Sequence, residues 1–336
     1  MEAKIGNREK QSILKRLLAI RGMGQVLTVT AGLIVLCVVF SILSPSFYSS
    51  RNIGNLLRQI APILIIGIGQ SYVLITGNID LSIGSVVGMS GMISATLMTK
   101  GMNPWVAALI TLAVCIGVGI TNGALVSKCK LPPFIATLGT MTVARGVAQI
   151  VNNNYNTDAI GEAAKGFRDL FYYGKTFGLY NAIWIALILF LLFNFLLSKT
   201  RTGRYIYAVG SSLEAAKLSG VNVVKTVMNA YIVSAICACV VGLMTTATAG
   251  MGTMDAGNMY EMYAVAASVI GGVSTLGGQG LLIGTVVGAS IWGVLQNGLQ
   301  FAGAPVAMRN IVIGTIVIVS VLLDVIIRTG KIRRKN

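Results

Sequence analysis

The chain has 336 residues, of which 55% are hydrophobic and 11% charged, against about 25% charge in soluble domains, and its mean hydropathy is +0.79. Its formal net charge is +16 and it contains no histidine. These values exclude a soluble globular domain, His-based triads, His-ligated metals and the commonest proton shuttle, and they define an all-α polytopic membrane protein. The five cysteines, Cys37, Cys115, Cys129, Cys237 and Cys239, lie in or beside apolar runs without zinc-ligand or redox spacing and read as small core residues.

From the N-terminus, residues 1–24 are basic and loosely amphipathic. The apolar run 25–43 is too long for a signal-peptide core and is followed by no small-residue cleavage pattern, so it predicts an uncleaved first span. Further apolar runs predict spans at 53–76, 81–98, 105–126, 134–151, 182–197, 225–249, 262–273, 281–301 and 308–327. That makes about ten transmembrane segments in one transmembrane domain, 25–327, followed by a basic tail, 328–336. The eighth segment is about a dozen residues long before a glycine-rich break, short enough for a broken or re-entrant helix.

Charge placement tests this layout. With both termini in the cytosol, Lys4 to Arg21, Lys128, Lys130, Lys199, Arg201, Arg204, Lys217, Lys225 and the tail bases all fall inside, and only eight of the 26 Lys and Arg remain. This is the positive-inside asymmetry, and it places the loop 198–225 in the cytosol. Bases spread over membrane flanks instead of one face argue against a nucleic-acid partner. The external loop 152–181 is polar and aromatic-rich; it is either a solvated connector or a docking surface.

Within the cytosolic loop, "SSLEAAKLSGV" at 211–221 predicts a short surface helix. Ser211 is the expected N-cap with Glu214 as its reciprocal partner, and Gly220 is the stop. "LSIGSVVG" at 81–88 and "LLIGTVVG" at 281–288 form an internal repeat, parallel in orientation in this topology, either an ancient duplication or a likeness between Gly- and Val-rich helices. Much of the glycine, 40 residues, lies within spans at spacings that let helix backbones approach closely.

Asp80, between the second and third spans, and Glu261, at the start of the eighth, are the carboxylates nearest the membrane interior. Asp80 also suits capping of the helix it precedes. Asn122, Gln296 and Asn297 lie inside spans and are translocation-pathway candidates together with Asp80; interhelical hydrogen bonding is the alternative for each. "GKT" at 174–176 lacks the P-loop glycine, and neither a metal-ligand cluster nor a nucleophile–base pair is present, so no catalytic or metal site is predicted.

Four ordered motifs carry a family resemblance: "GNIDLSIGS" (77–85), "PPFIATLGTMTVARG" (132–146), "TRTGRYIYAVGSSLEAAKLSGVNV" (200–223) and "YEMYAVAASVIGGVSTLGGQG" (260–280). Together they resemble the permease subunits of bacterial ribose and other simple-sugar ATP-binding-cassette importers, over roughly residues 50–327. Tyr263 departs from the motif, which commonly has an acidic residue there. The resemblance implies a monosaccharide permease of the bacterial inner membrane that works beside a second permease subunit, a cytosolic ATPase and an extracytoplasmic sugar-binding protein. ATP and Mg would sit on the ATPase, with no cofactor on this chain. It also implies that the helix formed by Ser211, Glu214, Ala215, Ala216, Leu218, Ser219 and Gly220 docks into a groove on the ATPase. The rival from the residues alone is an ion-coupled secondary transporter using Asp80 or Glu261.

Overall fold

A computed structural model describes residues 23–333 of the chain; most of the basic segment 1–24 and the end of the tail 328–336 lie outside the described residues. In chain order the helices are α1 Met23–Leu43, α2 Ser50–Ile75, α3 Ile83–Thr99, α4 Pro104–Ser127, α5 Pro133–Ile150, α6 Asn181–Lys199, α7 Arg201–Ser211, α8 Leu213–Leu218, α9 Val223–Ala249, α10 Tyr260–Ile270, α11 Leu282–Phe301 and α12 Val306–Arg333. A helix stands at each predicted span. Six of them, α1, α2, α4, α6, α9 and α11, are long and apolar enough to cross a membrane.

Local chemistry sets the boundaries. Pro104 and Pro133 open α4 and α5, where a missing N–H costs nothing. Ser49, Asn103, Thr200 and Asn222 accept hydrogen bonds from the first turns of α2, α4, α7 and α9. Gly250, at φ +70, ends α9 in the left-handed conformation.

Burial reverses the pattern of a water-soluble bundle. The most apolar window of α1 is 11% buried and that of α6 22%, whereas α2, the least apolar of these three, is 83% buried. The outer helices therefore turn their greasiest faces outward, as toward lipid, while the interior sets small and polar side chains among large aliphatic ones such as Ile65, Ile66, Ile68 and Met92. Ser71 of α2 donates to Gly67 O at 2.7 Å and lies 3.0 Å from the Ser268 hydroxyl of α10 and 2.8 Å from that of Thr285 of α11. Gly242 of α9 faces Val87 O and the Ser90 hydroxyl of α3 so closely that no Cβ fits between them.

The glycines of the two similar stretches, 81–88 and 281–288, make such contacts. Gly84 and Gly88, one turn apart on α3, face the carbonyls of Gly257 and Ala256; Gly284 and Gly288 on α11 face those of Gly271 and Ala267. The likeness thus has a packing cause whatever its ancestry.

α10 has 11 residues, about 16 Å, half of a bilayer core of about 30 Å. The stretch before it, 251–259, is not helical: Gly252 lies against Ala95, Ala256 beside Gly88 and Gly257 beside Gly84, so it runs alongside α3 over about three turns. This is the physical form of the short eighth segment. Its backbone groups lack intrahelical partners and find them elsewhere. Thr157 N donates to Gly252 O, Asn156 Oδ1 accepts from Met254 N, and Arg145 of α5 donates to Met254 O at 2.8 Å and Ala256 O at 2.9 Å.

The loops differ from expectation in two places. Ser211 does not cap the short helix: it is the last residue of α7, and Ser212 is the cap, accepting from Ala215 N at 3.2 Å. An amphipathic helix, α7, precedes it where only loop was expected. The segment 152–181 is also built up, with a helical turn at Lys165–Arg168 and a hairpin of β1 Lys175–Thr176 and β2 Leu179–Tyr180.

Candidate functional site

The broken helix and three neighbours enclose a cavity of about 560 Å³ that opens at the hairpin end of the bundle. α2 contributes Gln59 and Ile63, α9 contributes Thr245 and Thr248, the non-helical stretch contributes Asp255 and Asn258, and α11 contributes Trp292, Gln296 and Gln300. Tyr260 and Tyr263 of α10 line it as well, with ring centroids 5.6 Å apart, and Tyr263 lies 4.4 Å from the Trp292 ring. The result is a row of three rings deep in the molecule with amides and hydroxyls around it. At the mouth stands Tyr172, held by the Arg58 guanidinium 4.5 Å from its ring centroid; the same guanidinium is 4.3 Å from that of Tyr180.

Met259, immediately before α10, adopts φ +63, a conformation that side chains other than glycine rarely hold. The strain falls at the junction of helix and unwound chain, against the cavity wall.

Of the four pathway candidates, Gln296 lines this cavity. The other three lie in buried hydrogen-bond networks. Asp80 Oδ1 accepts from Ser82 N at 2.9 Å and Ser82 Oγ at 2.6 Å, and Oδ2 accepts from Ser234 Oγ at 2.7 Å. Asn122 Nδ2 donates to Ser82 Oγ at 2.8 Å, so α3, α4 and α9 are tied together at one point. Asn297 and Asn52 exchange amide hydrogen bonds at 2.9 and 3.2 Å between α11 and α2. Asp80→Ala strips the acceptor from three donors, and we expect it to lower stability by about 2–4 kcal/mol, with Asp80→Asn losing less. Thermal unfolding of the purified protein checks this; an unchanged midpoint for the alanine variant would refute it.

At the opposite end, α7 lies over the glycine-rich loop between α10 and α11. Gly278 N donates to Ile75 O at 2.8 Å, and Gly210 packs on the same carbonyl with no room for a Cβ. Tyr207 donates its hydroxyl to Gly280 O at 2.7 Å, and burial pushes that hydroxyl up to about 12, so it remains a donor at any physiological pH. α8 projects from this ledge. Ala216 is its one buried residue, while Glu214, Ala215 and Ser219 are exposed and Leu218 is 90% exposed.

The sequence reading did not single out Arg145, Trp292 or Gln300. Signals existed: an arginine inside a predicted span is expensive unless it has a partner, and Trp292, Gln296 and Gln300 recur every four residues.

A helical bundle with lipid-type outer faces, an unwound segment packed among its helices and a polar, ring-lined cavity beside it is the architecture of a membrane permease. The family model described as the permease component of branched-chain amino acid transport systems matches residues 52–321, and the chain belongs to that family. It is 36% identical to the ribose import permease protein of Escherichia coli (strain K12) over 87% of this chain and 91% of that protein. It is 33% identical to the D-allose transport system permease protein of the same organism, over 87% and 89%. To the galactose/methyl galactoside import permease protein of Salmonella typhimurium it is 35% identical, over 87% and 91%. No solved structure gives a significant match. The chain is thus a multi-pass transport subunit and not itself an enzyme, and the ion-coupled alternative is set aside.

Proposed function

We propose that the chain is the membrane permease of an ATP-driven importer of a neutral monosaccharide, ribose-like in size, delivered by an extracytoplasmic binding protein. The family description names amino acids and the relatives are named for sugars, so the cavity has to decide. One observation carries the choice: no Lys or Arg is among the described residues that line it. An amino acid would bring a carboxylate to a surface of rings, amides and hydroxyls that already holds the Asp255 carboxylate and has no cation among its lining residues. A neutral sugar asks for what the lining offers, flat apolar surface for its C–H faces and amides for its hydroxyls.

In this reading the α8 end faces the cytosol, since Lys128, Lys130, Lys199, Arg201, Arg204, Lys217 and Lys225 flank it. Both termini, 1–24 and 328–336, lie on that side of the bacterial inner membrane. The domain 25–327 crosses ten times, with 251–259 and α10 together forming the eighth crossing. The external loop 152–181 receives the binding protein and the loop 198–225 receives the ATPase, which holds ATP and Mg. A second permease subunit completes the pathway.

The test is uptake by the purified assembly in proteoliposomes. We expect ATP-dependent accumulation of at least one of D-ribose, D-allose and D-galactose, undiminished when the proton gradient is collapsed, and no accumulation of L-leucine. Uptake of L-leucine with none of the sugars would overturn the substrate class.

A further inference from the structure

α6, Asn181–Lys199, has 19 residues and is about 28 Å long, close to the bilayer core of about 30 Å, so its two ends stand at opposite interfaces. Leu187, Ile188, Leu191, Leu192 and Phe195 are exposed and share one face of it. One turn before Ile188 that stripe ends in Trp184, within the first turn of the helix. The β1–β2 hairpin is fastened over this end. Trp184 Nε1 donates to Thr176 O at 2.9 Å, Asn181 Oδ1 accepts from Thr176 Oγ1 at 2.7 Å, and the Phe177 ring meets the indole edge to face at 6.3 Å. Between hairpin and helix is an open depression of about 330 Å³, lined by Leu170, Phe177, Trp184, Ile185 and Ile188 among others. The tip itself is unusual for a turn in water. Phe177 and Gly178 have φ of +51 and +79, the two-residue turn in which Asn-Gly is preferred. A phenylalanine is strained there, and at 91% exposure it fills no core, so neither the turn nor packing within the described residues accounts for it.

We propose that the hairpin 175–180 is a lipid anchor: Phe177 enters the boundary between headgroups and acyl chains, and the depression beneath it is filled by lipid. Continuity fixes the partner. The depression is the upper end of a helix face that is already apolar and exposed, and it reaches Ile188, about 10 Å along α6 from Asn181, a depth inside the bilayer that a soluble protein does not enter. Tryptophan is enriched at this level because its ring is apolar and its N–H polar; here the N–H is bonded to Thr176 O and the ring faces are left for lipid. Lys175, exposed at the start of β1, supplies the charge that suits a phosphate layer. The anchor goes beyond the transport reading, since it concerns what holds the mouth of the cavity. Tyr180 closes the hairpin and lies against Arg58, and the same guanidinium holds Tyr172 at that mouth. A hairpin seated in lipid therefore sets the height of the cavity mouth above the bilayer and leaves the earlier part of the loop to the binding protein.

A fluorophore at the tip tests this. Cys37→Ala with Cys129→Ser removes the two cysteines that are not buried, so Phe177→Cys can be labelled with a nitrobenzoxadiazole maleimide; Asp158→Cys, exposed in the same loop, is the aqueous reference. In nanodiscs of phosphatidylcholine and phosphatidylglycerol, lipid carrying a nitroxide near the headgroup should quench the label at 177 about threefold more than at 158, and aqueous iodide should show the reverse order. Trp184→Phe, which removes the donor to Thr176 O, should move the response at 177 toward that at 158. Purified sugar-binding protein added with D-ribose should leave the emission at 177 unchanged. Equal lipid quenching at the two positions, or protection of 177 by the binding protein in place of lipid quenching, overturns the anchor. Both labelled proteins should still support uptake in proteoliposomes with the intact assembly, so an anchor that fails while uptake persists leaves the permease reading standing.

Discussion

Arg145→Ala will abolish most transport and lower the stability of the permease by about 2–4 kcal/mol. The guanidinium donates at 2.8 Å to Met254 O and at 2.9 Å to Ala256 O, two carbonyls of a chain that is not helical and lies alongside α3. Elsewhere in the bundle such carbonyls are satisfied within a helix; here nothing intrahelical can do so. Hydrogen bonds with a charged donor contribute about 1.5–3 kcal/mol each, and the half-exposed position of Arg145 argues for the lower part of the combined range. The same guanidinium sits in the field of Glu261 and Asp255, one at the first turn of α10 and the other on the cavity wall. Its removal therefore frees two carbonyls and leaves two carboxylates without their cation at the junction that shapes the cavity. Arg145→Lys keeps the charge but replaces a planar fork with a point donor, and should hold stability better than it holds transport. Uptake in proteoliposomes and thermal unfolding of the detergent-solubilised protein measure the two effects. An alanine variant with wild-type uptake and an unchanged unfolding midpoint would show that Arg145 is a bystander.

The same element marks where sequence reasoning ends. A helix stands at every predicted span because a bilayer demands runs of apolar residues, and such runs are visible one segment at a time. The shortness of the eighth segment was visible too, as a count of residues before a glycine-rich break. What fills the missing half was not, because it depends on α5, more than a hundred residues earlier, supplying an arginine at the right height. The cavity is illegible for the same reason: it draws on α2, α9, α10 and α11, and polar residues inside spans look alike until their partners are known. Asn297 and Gln296 are neighbours in sequence, yet one turns to Asn52, 245 positions away, and the other to the cavity. α7 was missed for a different reason. Its basic start, "RTGR", reads as a linker, and its apolar stripe, Ile206 and Val209, is short and makes sense only against the loop it covers. The cap of α8 moved by one residue because both Ser211 and Ser212 can accept from a first turn, and the ending of α7 decides between them.

That one-residue difference sharpens the last prediction. If α8 is the lever by which an ATPase moves the permease, Ala215→Arg will leave the bundle folded and the membrane level normal, yet abolish ATPase co-purification and uptake. Ala215 is exposed and small, Leu218 beside it is 90% exposed, and a helix of 6 residues with a single buried side chain leaves both free to enter a partner's groove. An arginine at Ala215 places a long charged stem where two surfaces have to approach, and its charge would be desolvated on contact. None of this reaches the transmembrane core, since Ala216 alone anchors the helix and is untouched. The caps supply an internal control. Ser212→Ala removes the acceptor for Ala215 N and should cost about 0.5–2 kcal/mol of local helix stability, weakening coupling without ending it. Ser211→Ala, at the last residue of α7, removes no cap and should couple at close to the wild-type level. The order expected for both co-purified ATPase and sugar uptake is therefore Ser211→Ala above Ser212→Ala above Ala215→Arg. An Ala215→Arg permease that still holds its ATPase and transports would make α8 an ordinary solvated turn, and the force would have to enter through α7 and the loop beneath it.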